Sequence, residues 1–139
     1  MSWAQSLIKL SAYEAEILQR RLADIAQRRD AVLTILQAMD MEAALESAHA
    51  SGDAEAGWYL IGFREGLAAR RAKANADLKA LASEEQGCRD AMQDSFESKK
   101  KYEQVADADA RARNKIAAAR EVQAMDAAAA RLATVRTAA

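Results

Sequence analysis

Two side chains in this sequence could begin covalent or metal chemistry, and each occurs once: Cys88 is the only cysteine and His49 the only histidine. A thiolate nucleophile needs a base within hydrogen-bond reach, and a Cys/His zinc site needs several ligands. Single copies exclude both a disulfide within the chain and a zinc site of that type. His49 falls in a stretch that reads as a turn, and Cys88 reads as a small thiol on a helix seam. A phosphate-binding Gly-x4-Gly-Lys-Ser/Thr loop requires a glycine before a lysine, which occurs nowhere here. The carboxylates are spread over helix faces that water covers. Arg20-Arg21, Arg28-Arg29, Arg70-Arg71-Ala72-Lys73 and Lys99-Lys100-Lys101 are short basic runs, each offset by acids nearby, which argues against nucleic-acid binding. Catalytic residues, a metal and a cofactor are therefore not expected. The pattern that remains is apolar: Trp58, Tyr59, Leu60, Ile61, Phe63 and Leu67 form the one dense cluster of large apolar side chains in the second half.

The elements that would carry this cluster follow from composition. The chain has 139 residues, 29% of them charged, with a net charge of −1, which fits one soluble domain without a strong field of either sign. Of its 51% hydrophobic residues about half are alanine, 36 in all, and alanine favours helix while burying little. There is no proline, and the glycines are confined to positions 52 through 87. An all-α molecule is expected. The N-terminus lacks a basic-then-apolar signal pattern and no apolar run reaches the roughly 18 residues of a membrane span, so a cytoplasmic protein is expected.

Stepping by four and three from Ala4 gives Ala4, Ile8, Ser11, Ala15, Leu18, Leu22, Ile25, Arg29, Val32, Leu36, Met39 and Ala43. All but Ser11 and Arg29 are apolar, which is a sustained coiled-coil heptad. Helix 1 is predicted over about 3–47. Leu7, Leu10, Ile17, Leu33 and Ile35 lie off this seam and widen the stripe, either for a third helical partner or as partly covered flanks. Ser47 to Gly57 holds two glycines and no large apolar side chain, so a turn is predicted over about 48–53. Helix 2 is predicted over about 54–136, with Asp53 as its cap. Its weaker seam reads Leu60, Phe63, Leu67, Ala74, Leu78, Leu81, Cys88, Met92 and Phe96.

The expected fold is an antiparallel two-helix coiled-coil hairpin, a single domain over 1–139, with a longer second helix projecting beyond the first. Folding at the turn sets Leu36 near Leu67, Val32 near Ala74, Ile25 near Leu81, Leu18 near Cys88 and Ile8 near Phe96. Arg29 falls near Asp77, and the two are expected to neutralise each other. The tail beyond about residue 100 has acid–base pairs four apart at Glu97–Lys101, Asp107–Arg111 and Asp109–Arg113, which support an unpartnered helix. A thin apolar line at Ile116, Ala119, Val122, Met125, Ala129 and Leu132 leaves two readings, a solvated helix or one completed by a partner.

In the cluster after the turn, Phe63 and Leu67 form one ridge, and Gly62 and Gly66 leave a bare groove beside it. Each glycine costs about 1 kcal/mol relative to alanine inside a helix, so close approach of another backbone or local flexibility is expected to explain them. Trp58, Ile61, Phe63 and Leu67 could instead close the hairpin core against Met39, Met41 and Leu45.

The pattern as a whole resembles the FliJ family of flagellar export proteins and its relatives in virulence type III secretion. The resemblance rests on Leu7-Ile8-Lys9-Leu10 leading into a charged helix and on the aromatic-rich start of helix 2. It extends to Phe96-Glu97-Ser98-Lys99-Lys100-Lys101-Tyr102-Glu103-Gln104 and Ala119-Arg120-Glu121-Val122-Gln123-Ala124-Met125-Asp126. It implies a non-catalytic hairpin similar to the stalk of rotary ATPases. Such a protein promotes assembly of the hexameric export ATPase, couples it to the cytoplasmic part of the membrane export gate and escorts export chaperones. Its implied place is the cytoplasm and, through partners only, the cytoplasmic face of the inner membrane. The family's aromatic-x3-Leu gate contact maps onto Phe63 and Leu67, with Trp58, Gly62 and Gly66 as possible supporting contacts; the two glycines depart from the family's pattern. A virulence stalk and a generic coiled-coil scaffold are the alternatives.

Overall fold

The computed structural model describes residues 3–50 and 54–138. The chain is all-α: α1 spans Trp3–Ala50 and α2 spans Ala54–Ala138, forming a hairpin whose second helix is the longer, 85 residues against 48. Helix 1 persists past the Ser47 end that its apolar pattern predicts, because Ala48 and Ala50 favour helix and His49 sits in the last turn, where the dipole favours a basic group. The rest of the predicted turn, with the Asp53 cap, lies outside the described residues.

Both helices contribute to each of two compact units. In the unit formed by 14–94, Ile25, Leu81 and Cys88 are buried together, with Leu18, Leu22 and Val32 packed around them. The helices run antiparallel here: Leu18 meets Cys88, Arg28 meets Glu84 and Glu42 meets Arg70. The expected pairings of Leu18 with Cys88 and of Ile25 with Leu81 are thus present. The Cys88 thiol donates to the Leu18 carbonyl at 3.3 Å, so this seam position is both small and satisfied. On α2 the buried positions Leu67, Ala74, Leu81 and Cys88 recur at heptad spacing. Arg71 and Glu85, absent from an apolar reading of the seam, are half-buried between them.

Arg29 is the exception on α1. It does not pair with Asp77: its side chain turns out of the seam and donates to Glu85 at 3.1 Å. The long guanidinium stem lets a seam arginine keep its charge at the edge, where water and a carboxylate meet it. Its neighbour Arg28 donates to both Glu84 oxygens, at 2.9 and 3.2 Å, and to Asp24 at 3.0 Å. Arg70 reaches Glu42 at 2.9 Å and Arg71 reaches Asp40 at 2.6 Å. Hydrogen bonds from Arg28 hold the Glu84 carboxyl below its ordinary value, and those from Arg89, with Arg29 nearby, do the same for Glu85.

A depressed carboxylate pKa contributes stability that is complete above the unfolded value and lost as pH falls through the folded one. For Glu84 and Glu85 the loss therefore falls below about pH 4.5. Arg28→Ala should lower the thermal midpoint slightly near neutral pH, and the gap to the unmodified protein should close in acid. A gap of constant size from neutral pH to acid would show that Arg28 acts by packing alone.

In the unit formed by 1–13 and 95–139, Ala4, Ser11 and Ser95 are buried. The Ser95 hydroxyl donates to the Ser11 carbonyl at 3.0 Å, which removes the cost of burying it. Small side chains on both seams bring the backbones within reach of this bond. Ser95 holds the position that an apolar reading assigns to Phe96, which is itself exposed. Trp3, Ala4, Val105, Asp109 and Arg113 line a hollow of about 390 Å³. From Asp107 to Ala138 every α2 residue is exposed. The expected Asp109–Arg113 pair is formed, and Thr134 and Thr137 return hydroxyl hydrogen bonds to the carbonyls of Ala130 and Ala133.

Candidate partner-binding surface

The first turns of α2 carry the aromatic cluster, and heptad geometry sorts its members. Leu60, Phe63 and Leu67 stand three and four apart, which aligns them on the face turned towards α1. Burial follows that order: Leu60 and Phe63 are half-buried, and Leu67 is 7% exposed. Met39 on α1 is buried as well, so the hairpin core reaches this level. The side chains off that face stay in water. Trp58 is 82% exposed, and Tyr59 and Ile61 are exposed with it; on α1, Met41 and Leu45 are exposed too. The reading in which the whole cluster closes the core thus holds for Leu67 and Met39 and fails for Trp58, Ile61, Met41 and Leu45.

Phe63 is flanked on its outer side by Tyr59, the rings stacked at 6.3 Å between centroids with 23° between planes. This pair was legible as an aromatic at i and i+4 on one helix face, although the Phe63–Leu67 spacing draws attention first. The outcome is a graded surface. Leu67 anchors the helix, Phe63 spans core and solvent, and Tyr59, Trp58 and Ile61 offer unburied apolar area. Isolated exposed apolar side chains are ordinary, but Trp58, Tyr59 and Ile61, exposed together beside the half-buried Phe63, offer apolar area of the kind that partners cover.

Gly62 and Gly66 are exposed beside this patch, and a Cβ built on either meets nothing within 4 Å. Among the described residues nothing approaches them, so the close-approach explanation points to a second molecule. Gly62→Ala and Gly66→Ala should each stabilise the protein by about 0.5–1 kcal/mol, read as a higher denaturant midpoint. A loss of stability would mean that the backbone there departs from regular helix.

The exposed side chains of Trp58, Tyr59 and Ile61 make shape and apolar area its means of recognition. Among the described residues no group of three or more His, Cys, Asp or Glu side chains is placed to hold a metal ion. No helix among them is long and apolar enough to cross a membrane.

Comparison with known proteins gives the kinship of the chain. No family model matches it, and no solved structure matches it significantly. Two curated proteins do, the flagellar FliJ proteins of Caulobacter vibrioides strains NA1000 / CB15N and ATCC 19089 / CIP 103742 / CB 15. Each is 45% identical to this chain over 126 residues, which cover 91% of this chain and 87% of the relative. With identity at that level over nine-tenths of its length, the chain belongs to the FliJ family of flagellar proteins.

Proposed function

We propose that this protein is a non-catalytic stalk of the flagellar protein export apparatus. It promotes assembly of the hexameric export ATPase, couples that ring to the cytoplasmic part of the membrane export gate, and escorts export chaperones. It works in the cytoplasm and at the cytoplasmic face of the inner membrane, held there by its partners. The observation that carries the reading is the kinship to flagellar FliJ proteins along both helices. Two features of the molecule support it. The α2 segment from Asp107 to Ala138 is helical yet wholly exposed, as a segment completed by a surrounding partner would be. The first turns of α2 hold an apolar patch suited to a second contact.

In this reading Phe63 and Leu67 make the gate contact, with Trp58, Gly62 and Gly66 in support. The coiled coil on the side of the two chain termini enters the ATPase ring and the aromatic patch stays outside it. The flagellar machine is preferred to a virulence system because both relatives are flagellar proteins. The test is deletion of the gene in its source bacterium, scored by swimming in soft agar. Loss of swimming, restored by the wild-type gene but not by a stably expressed Phe63→Ala/Leu67→Ala double variant, is the expected result. Normal swimming of the deletion strain would overturn the assignment.

A further inference from the structure

One side of the 14–94 unit carries an apolar strip between two closed ion pairs. At one end Arg70 is bound to Glu42, and at the other Arg28 is bound to Glu84. Between them lie two adjoining hollows of about 240 and 360 Å³ that share Val32 and Asp77. Ala31 and Ile35 of α1 and Ala80 of α2 form the walls, with Met39, Ala74 and Leu81 buried beneath. Ile35 is 52% exposed although it stands beside the seam.

The charges are unequal in a telling way. Glu42, Arg70, Arg28 and Glu84 each have an opposite charge from the facing helix. Lys73 and Asp77, one turn apart on the α2 wall, line the strip and form no ion pair among the described residues. A cation and an anion four residues apart on one helix are self-complementary under a two-fold axis set midway between them. Lys73 then meets Asp77 of the partner subunit, and the same pair forms again on the other side.

We propose that this strip is an isologous docking surface for a second copy of the chain. The two α2 helices cross antiparallel, the Lys73 and Asp77 side chains exchange partners, and the Ile35 side chains of the two copies cover the apolar walls. The closed Arg28–Glu84 and Arg70–Glu42 pairs bound the contact without competing for the exchanged charges. Burial of the strip supplies the attraction, and the charge exchange sets register and excludes the parallel arrangement, in which like charges face each other. The surface is separate from the aromatic patch at Trp58–Phe63, so the proposal stands or falls independently of the export reading.

Sedimentation velocity on the full-length protein across about 5–300 µM reads the dimer dissociation constant directly. Lys73→Glu and Asp77→Lys each place like charges across the axis, and each should weaken the dimer roughly tenfold or more. The combined Lys73→Glu/Asp77→Lys variant restores opposite charges and should return the constant to within about threefold of wild type. Both sites are exposed on a helix, and circular dichroism should confirm an unchanged fold for all three variants. A wild-type protein that stays monomeric throughout the range would overturn the proposal and leave the strip to a different occupant. A dimer that is indifferent to the single swaps, or one that the double swap fails to rescue, would place self-association on another surface and overturn it equally.

Discussion

Ile25→Ala should lower the stability of the hairpin by about 3 kcal/mol and its thermal midpoint by roughly 10 °C. Ile25 is 1% exposed, the most deeply buried side chain among the described residues, and its neighbours Leu18, Leu22, Val32, Leu81 and Cys88 come from both helices. The truncation removes about three methylene-sized groups, which by transfer alone amounts to roughly 2–2.5 kcal/mol. A residual cavity adds to this, but the term is limited here. A two-helix core is one side chain thick, so water can reach the vacated space from either edge and spare part of the cost of an empty void. Ile25→Val should cost only about 1 kcal/mol. The measurement is reversible denaturant unfolding followed by circular dichroism. A loss below about 1 kcal/mol for the alanine variant would mean that the layer of Ile25, Leu81 and Cys88 contributes little to the pairing of the helices.

The second large effect separates two residues that the sequence pattern treats as one motif. Leu67 is buried and Phe63 is half-buried against Tyr59. Leu67→Ala should cost about 2–3 kcal/mol and impair swimming in part by loosening the start of α2. Phe63→Ala should cost about 1 kcal/mol, mostly lost stacking and edge burial, so its protein remains folded. If Phe63 is the partner contact, Phe63→Ala should nearly abolish complementation of the deletion strain while its midpoint stays close to wild type. Leu67→Met preserves volume and should restore both stability and swimming. Unimpaired swimming by Phe63→Ala would remove this ring from the proposed gate contact and transfer the role to Trp58 and Ile61. The glycine variants add a second axis: if Gly62→Ala or Gly66→Ala raises stability yet reduces swimming, the bare groove serves a partner.

The strip bounded by Arg28–Glu84 and Arg70–Glu42 gives the exposed off-seam residue Ile35 a reason for its position. The sequence marks Ile35 only as one of several apolar residues beside the heptad, with a third helix and partial cover both open. What singles it out is a spatial fact. Lys73 and Asp77 line the same hollow and form no ion pair among the described residues, while Arg28, Glu84, Arg70 and Glu42 along this side are paired.

Local periodicity was sufficient for much of the molecule. The α1 seam from Ala4 to Ala43 was legible because a heptad repeat depends only on residue spacing, and every position in it except Arg29 is buried or half-buried. The lone thiol, the lone imidazole and the missing proline delimited the chemistry and the fold class in the same way. The α2 seam was legible only where it is apolar. Arg71, Glu85 and Ser95 share it, yet a polar side chain reveals its place only when the facing helix is present. Ser95 is buried because the Ser11 carbonyl of α1 lies within 3.0 Å, a distance no sequence pattern contains. Tertiary structure also chose the ionic partners. Arg29 selects Glu85 over Asp77, since a long flexible stem reaches several carboxylates and the relative placement of the two helices decides between them. It likewise parted Leu67 from Phe63: the spacing puts both on one face, and only the approach of α1 determines which of them water still reaches.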